Sequence, residues 1–450
     1  MEDGDVMRAI LLAAGKGTRM KSARSKVLHE LCGRPMLWFV IEALRRAGIT
    51  DILAVTNPEL QERIGEFGVE GVVQPEQRGT GDAVRVALES LALRDGLILV
   101  VYGDMPLISE DAFVAVASAL ERAAGESAMA LVTVKLGLPS SFGRIVRDEA
   151  GVARIVEARD ATPAEMQIDE MNAGIYAFRE PDLREAVANL RSDNAQGEYY
   201  LTDAVGYFVT RGKRVHPVAS PRPLDAIGIN DRSDLARARR EMNARLCDRY
   251  MLAGVTIVDP ATTYLEPELR IGPDTVVYPN TAISRLSEIG EACTIGPNTR
   301  ISNAVLGSGV TVRESVVIDA TIGAGTTIGP YAHLRGDSTL GENVRVGNFV
   351  EIKKSRLDAG VKASHLSYLG DAVIGSETNI GAGTITCNYD GENKNETIVG
   401  SDVFIGSNSS LVAPVSIGDG ALTGAGSVVT RDVAPGERVA GNPARPLPKK

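Results

Sequence analysis

"VTVRESVVIDATIGAGTTIGPYAHLRGDSTLGENVRVGNFVEI" spans residues 310–352. Its apolar positions fall on every sixth residue: Val310, Val316, Ile322, Ile328, Leu334, Leu340, Val346 and Ile352. The same interval precedes it at Leu265, Ile271, Val277, Ile283, Ile289, Ile295 and Ile301, and follows it at Val399, Ile405, Leu411 and Ile417. A helix repeats its buried face at about 3.6 residues and a half-buried strand at about two, so an interval of six fits neither. It fits a parallel β-helix of hexapeptides, in which one apolar side chain per repeat enters a narrow prism and small residues turn the corners. Such a core has little room for rings, which accounts for an aromatic content of only 4%. The interval breaks at 353–373 and 386–398. A rigid coil expels surplus residues, so the pattern predicts polar loops at both places.

The first half reads differently. Short apolar runs at 8–14, 52–55 and 97–102 alternate with helical patterns at 35–47, which opens on a proline, and at 80–91. Strands alternating with helices imply parallel crossovers and an open α/β sheet, where ligands bind beyond the carboxyl ends of the strands. The first such end carries "LLAAGKGTRM", residues 11–20. This is neither GxGxxG nor GxxxxGK[ST]. Even so, Gly15 and Gly17 let backbone N–H groups approach an anion, and Lys16, Arg19 and Lys26 add positive charge. The residues alone leave two readings open, a phosphate loop or a tight turn with solvated cations. Beyond it, Leu235, Ala238, Met242, Leu246 and Tyr250 recur at three or four residues. They form one narrow apolar stripe on a helical arm of about twenty residues, roughly 30 Å long.

A chain of 450 residues is long enough for two or three domains. Its net charge of -10 argues against a general nucleic-acid binder. The acidic stretch MEDGDV is followed by no secretory apolar region, and the run around Leu11 is too short for a bilayer, so no membrane association is expected. Cys32, Cys247, Cys293 and Cys387 form no CxxC pair, which suits a reducing cytoplasm and argues against a zinc site or disulfide frame.

Several motifs are specific in combination: "LAAGKGTRM", Lys26, "GTGDA", "YGDMPLI", "NAQGEYYLTD", the helical arm and the hexapeptides. From Met7 to about Ala444 the chain resembles the bacterial bifunctional N-acetylglucosamine-1-phosphate uridyltransferase/glucosamine-1-phosphate N-acetyltransferase family. The resemblance implies a Rossmann-like α/β nucleotidyltransferase domain over 1–232, a helical linker over 233–253 and a left-handed parallel β-helix over 254–450. It implies synthesis of UDP-N-acetylglucosamine, a precursor for peptidoglycan and lipopolysaccharide, from UTP, glucosamine-1-phosphate and acetyl-CoA. The intermediate would be N-acetylglucosamine-1-phosphate, and the enzyme would be a cytoplasmic homotrimer. A relative acting on another nucleotide or sugar, such as dTDP-glucose, or a silent scaffold of the same architecture, are the alternatives. A hexapeptide zinc hydratase needs three histidines per metal, and the repeats offer only His333 and His365.

The resemblance also implies residue roles. Leu12, Ala13, Ala14, Gly15, Gln74, Gly79 and Thr80 would contact the nucleotide, with Arg19 and Lys26 offsetting triphosphate charge. Asp104 of the Tyr102–Gly103–Asp104 motif, with Asn230, would hold Mg²⁺, and Gly143, Glu157 and Asn172 the sugar. Read without the resemblance, Asp104 is equally a turn or N-cap aspartate. The family usually has proline before the lysine; Ser25 stands there, which leaves that loop less fixed. In the second half the resemblance makes His365 the acetyl-transfer base. Arg335, Lys353, Tyr368 and Asn379 would hold the sugar phosphate. Ala382, Asn388, Tyr389, Ser407 and Ala425 would hold acetyl-CoA, the co-substrate. Where a C-terminal arginine is expected the chain has Asn442, and Arg445 is the substitute. Cys387 invites a thioacyl intermediate, but direct transfer needs none.

Overall fold

The computed structural model describes residues 7–123, 127–135, 137, 142–220 and 222–447; the acidic segment 1–6 lies outside them. The chain separates into two units between Glu241 and Met242.

The first unit is built on a nine-stranded sheet. Its strands are β1 (Arg8–Leu12), β2 (Asp51–Thr56), β3 (Glu70–Val73), β4 (Leu97–Tyr102), β5 (Ser127–Lys135), β6 (Arg144–Asp148), β7 (Gly151–Val156), β8 (Glu170–Arg179) and β9 (Arg214–Ala219). The order is β9-β5-β8-β4-β1-β2-β3, with β6 pairing with β8 and β7. β1 lies parallel to both β2 and β4. Ala9 and Leu11 enter one apolar core and Ile10 and Leu12 the other, so β1 is buried on both faces and reads as an unbroken apolar run. The helices foreseen at 35–47 and 80–91 are α1 (Met36–Arg46) and α2 (Thr80–Ser90). The sheet is not wholly parallel: β8 runs antiparallel to β4 and β5. Doubly buried apolar runs carry no mark of strand direction, which is why the sequence pattern suggested crossovers alone. A register shift between Asn172 and Tyr176 bends β8 over the carboxyl end of β4.

The arm is α3 (Arg232–Leu252), and its buried stripe is the one expected, with Asn243 and Cys247 added. Its latter half, in the second unit, closes the open end of the prism. Asn243 donates to the Thr263 carbonyl at 2.7 Å and accepts from the Leu265 N–H at 3.2 Å, and the Tyr250 hydroxyl donates to the Leu269 carbonyl at 2.9 Å. These bonds occupy backbone groups that an exposed edge would leave open.

The second unit is a parallel β-helix. A coil of three hexapeptides brings Leu265 opposite Ile283 and Leu334 opposite Ile352. Coil length is not constant, however. Ile301 meets Val317, and Val317 is buried where Val316 is only half-buried, so the six-residue count slips there by one. The segment 353–373 is not an expelled loop. It forms strands Arg356–Leu357, Lys362–His365 and Tyr368–Gly370, and Ile352 stands opposite Leu369, one residue short of three hexapeptides. The constraint is one inward residue per face, and a corner can close with one residue fewer. Only the second break is a true excursion: Thr386 faces Leu411, seven residues more than three hexapeptides supply. It is tied internally by Asp390, whose carboxyl is held down at about 2 by the N–H groups of Asn393 and Glu392 and by Asn395.

Coils touch closely where glycine recurs. A Cβ on Gly347 would stand 1.9 Å from the Ser364 carbonyl oxygen of the next coil, whereas one on Gly420 meets nothing within 4 Å. Gly347→Ala is expected to destabilise the β-helix by about 3 kcal/mol through overpacking. Gly420→Ala, at φ +64°, should cost only about 1 kcal/mol of backbone strain. Urea denaturation followed by circular dichroism checks the difference, and equal midpoints would contradict this packing.

Candidate active sites

Three strand ends of the first unit converge: Ala13–Gly17 leave β1, Gln74 leaves β3, and Gly103 and Asp104 leave β4. Gly17 has φ +58°, and a Cβ there would lie 2.6 Å from Lys26 Cβ, so only glycine lets the loop close over that lysine. Ser25, in the place of the expected proline, is buried with φ −50° and ψ 135°, angles a proline would adopt. The Asn57 amide reaches its hydroxyl at 3.4 Å. The loop is therefore held without the ring, and Lys26 is delivered to Asp104.

The Lys26 ammonium lies 2.5 Å from Asp104 Oδ2 and 3.1 Å from Asn230 Oδ1, and Arg19 donates to the same Asn230 oxygen at 2.9 Å. Asn230 is fixed from behind, its N–H donating to Asp234 at 3.0 Å in the first turn of α3. Two hard oxygens thus converge on one point that already suits a cation. A carboxylate and an amide carbonyl fit Mg²⁺, which takes few protein ligands and completes its shell with water and substrate phosphate. Among the described residues no cluster of three or more His, Cys, Asp or Glu could hold a metal by itself.

Two cavities flank this point, sharing Tyr102 and Asp104. The larger, about 470 Å³, is lined by Leu12, Ala13, Ala14, Gly15, Gln74, Gly79 and Thr80. The Gln74 amide is oriented by donation to Asp82 at 2.9 Å and to the Gly79 carbonyl at 3.2 Å. The smaller, about 360 Å³, is lined by Arg19, Gly143, Glu157, Asn172 and Asn230. Asn172 is braced on the bulge, donating to the Tyr176 hydroxyl at 2.6 Å and accepting from the Gly174 N–H at 3.1 Å. Burial, reinforced by Glu157, pushes the Tyr102 phenol far up, so it stays protonated. Burial also raises the Glu157 carboxyl, aided by Asp203 and Asp160 and opposed by the Thr202 hydroxyl and Arg144. Sequence reasoning missed Gln77, whose amide donates to the Ala14 carbonyl, and Glu198, both on the larger cavity, as well as the fully buried Arg144. Their motifs carry no spacing signal; only the fold brings them in.

In the second unit one corner organises the predicted residues. The Leu366 N–H donates to the Asn348 carbonyl at 3.0 Å, Gly383 to His365 at 3.3 Å, Asn408 to Ala382 at 2.7 Å and Gly426 to Ser407 at 2.8 Å. Asn348, His365, Ala382, Ser407 and Ala425 therefore occupy the same place on successive coils. At about 4.8 Å per coil, His365 and Ala425 are roughly 14 Å apart. The His365 ring is exposed, with Nδ1 2.7 Å from Asn348 Oδ1.

The face that follows this corner presents Arg335, Lys353 and Tyr368 outward on adjacent coils. Arg335 is paired with Glu351 at 2.6 Å; two residues before Lys353, Glu351 points to the same side, a signal available in the sequence but not read. Asn388 is buried at the far end of this face, donating to Asp371 at 2.6 Å and reaching the Tyr368 hydroxyl at 3.4 Å. Tyr389 is exposed beside it, with the Lys394 ammonium 5.1 Å from the ring centre. These two do not join Ala382, Ser407 and Ala425, which lie along the corner. Asn379 is on the preceding face, opposite Lys362. Arg445 is exposed on the strand Arg445–Pro446, paired against Ala440. Among the described residues the Cys387 thiol reaches the Ile385 carbonyl, at 4.0 Å, and no activating cation is in contact with it.

A crevice at the strand ends of an α/β sheet that gathers Lys26, Arg19, Asp104 and Asn230, followed by a hexapeptide β-helix with a histidine on its corner, fits a two-headed transferase. Residues 9–245 match the MobA-like NTP transferase domain, 254–357 the GMPPB C-terminal domain and 396–431 the bacterial transferase hexapeptide repeats. Proteins named bifunctional protein GlmU are similar along nearly the whole chain. That of Trichlorobacter lovleyi is 46% identical over 96% of this chain and 94% of its own length. That of Geobacillus sp. is 45% identical over 94% and 93%, and that of an Exiguobacterium species 45% over 94% and 94%. The chain belongs to the bifunctional GlmU family. It synthesises UDP-N-acetylglucosamine through a uridyltransferase and an acetyltransferase activity.

The raised Glu157 carboxyl has a consequence for stability. The folded protein holds that proton to higher pH than the unfolded chain, so ionising Glu157 destabilises the fold as pH climbs past the unfolded carboxylate value. Glu157→Gln, which still accepts from Thr202, is expected to raise the melting temperature of the first unit at neutral pH. The gain should vanish at acid pH, where both states are protonated; calorimetry across pH checks it.

Proposed function

We propose that the two activities reside in two separate sites. In the first, the larger cavity takes UTP and the smaller takes N-acetylglucosamine-1-phosphate. A sugar-phosphate oxygen attacks the α-phosphorus and pyrophosphate departs. The nucleophile is already an anion, so the site supplies alignment and positive charge rather than a base. Lys26 and Arg19 offset charge as the two anions meet, backbone N–H groups of 14–17 donate to phosphate oxygens, and Asn172, Gly143 and Glu157 orient the sugar. Asp104 and Asn230 would hold Mg²⁺, which when bound draws the anions together and stabilises negative charge. The observation that carries this reading is the shared wall, Tyr102 and Asp104, between the two cavities.

In the second site His365 takes a proton from the glucosamine-1-phosphate ammonium. The freed amine attacks the acetyl-CoA thioester carbon and gives a further proton to water as the amide forms, the C–S bond breaks, and the thiol leaves with the proton that His365 held. Arg335 and Lys353 bind the phosphate, and the strip Ala382, Ser407 and Ala425, lacking bulk, receives the coenzyme arm. Arg445, free of side-chain partners among the described residues, meets coenzyme A phosphate. Arg335, Lys353 and Tyr368 stand on one face and Asn379 on the other, so a ligand touching all of them needs a second copy alongside. Tyr331, Phe349 and Leu366, on the same corner, are 56%, 58% and 59% exposed, and the first two rings stack at 5.4 Å. Neighbouring copies covering that ladder would form a homotrimer. Four free cysteines suit work in a reducing cytoplasm; among the described residues no helix is long and apolar enough to cross a membrane.

Separate assays test the division. Asp104→Ala is expected to abolish pyrophosphate release from UTP while leaving thiol release from acetyl-CoA intact, and His365→Ala to do the reverse, by roughly 10²-fold or more. Loss of both signals in either folded variant would contradict independent sites. Arg445→Ala should raise the acetyl-CoA KM about tenfold, the worth of one charge-assisted contact. Phe349→Asp should reduce the mass seen in analytical ultracentrifugation and remove acetyl transfer alone.

A further inference from the structure

We infer that Asn348 is a positioning residue for acetyl transfer, fixing which nitrogen of His365 acts as the base. The inference rests on His365 being that base. Asn348 and His365 hold the same corner place on adjacent coils, with strand register pairing them directly. The two coils are joined there twice: the Leu366 N–H donates to the Asn348 backbone carbonyl at 3.0 Å, and Asn348 Oδ1 lies 2.7 Å from His365 Nδ1. An amide oxygen can only accept, so Nδ1 carries the proton. The lone pair is then confined to Nε2, which has no protein partner among the described residues and lies on an exposed ring.

This matters because a neutral histidine in water carries its proton mainly on Nε2, the tautomer that would present a donor, not a base, to the incoming ammonium. Asn348 reverses that preference. The step then balances: Nε2 accepts a proton from the ammonium, the amine nitrogen bonds to the acetyl carbon and releases a second proton to water as the amide forms, the C–S bond breaks, and the departing sulfur takes the proton from Nε2. Nδ1–H stays bonded to Asn348 throughout.

The test uses the full-length enzyme with ¹⁵N-labelled histidine; four rings are present, and His365 is identified by its loss in His365→Gln. In the wild type the His365 Nδ1 signal should be of the protonated type and Nε2 of the lone-pair type. Asn348→Ala and Asn348→Ser should invert them and lower acetyl-transfer kcat about tenfold. The acetyl-CoA KM, the circular dichroism and uridyl transfer should not change. Asn348→Asp, which still accepts from Nδ1, should restore the wild-type signals and most of the rate. A wild-type ring protonated on Nε2, with the amide donating instead, overturns the inference. So does a kcat unmoved in both truncated variants while His365→Ala is inactive. If His365→Ala itself retains acetyl transfer, the underlying assignment of the base falls.

Discussion

Each coil of the β-helix must set its corners over those of its neighbour, because most of its backbone N–H groups find their acceptors there. The chain of bonds through Asn348, His365, Ala382 and Ser407 is one such column. Everything the second unit can do follows from it. A side chain on a corner has a fixed neighbour one coil away and a fixed face on either side, so an imidazole, its amide partner and a strip with little bulk are aligned without any loop having to fold around them. The first unit meets the same need differently: parallel strands end together, and their loops gather cations and oxygens at one crevice.

The architecture was legible because apolar spacing is a property of the chain, and a six-residue interval has few structural solutions. The glycine-lysine loop was legible as a tight turn at a strand end because a backbone closing over Lys26 demands glycine at position 17. What escaped the sequence was register. At 353–373 a coil closed with one residue fewer, and a strict count read an ordinary coil as a loop. Strand direction escaped too, since β8 carries the same apolar residues that a parallel strand would. Ser25 shows the opposite limit: the expected ring is missing, yet burial and a hydrogen bond from Asn57 impose the same backbone angles.

Site residues divided along similar lines. Lys26, Asp104, Asn230 and Arg19 come together as foreseen, because their motifs lie at strand ends that the sheet must collect. In the β-helix the foreseen residues fall on two faces and a corner. Sequence spacing gives the coil on which a residue sits but not the face, once coil length varies by a residue. Gln77 and Asn348 were invisible for a further reason. Each matters through the neighbour it touches, and no short motif records that neighbour.

The corner column also makes distance along the second site quantised. The separation between the imidazole and each of Ala382, Ser407 and Ala425 is a whole number of coils, so point substitution changes what stands at a station but not where the station is. Lengthening that reach requires inserting an entire turn of the prism. Along this corner, reach therefore changes in discrete jumps, like moving a peg along a rack.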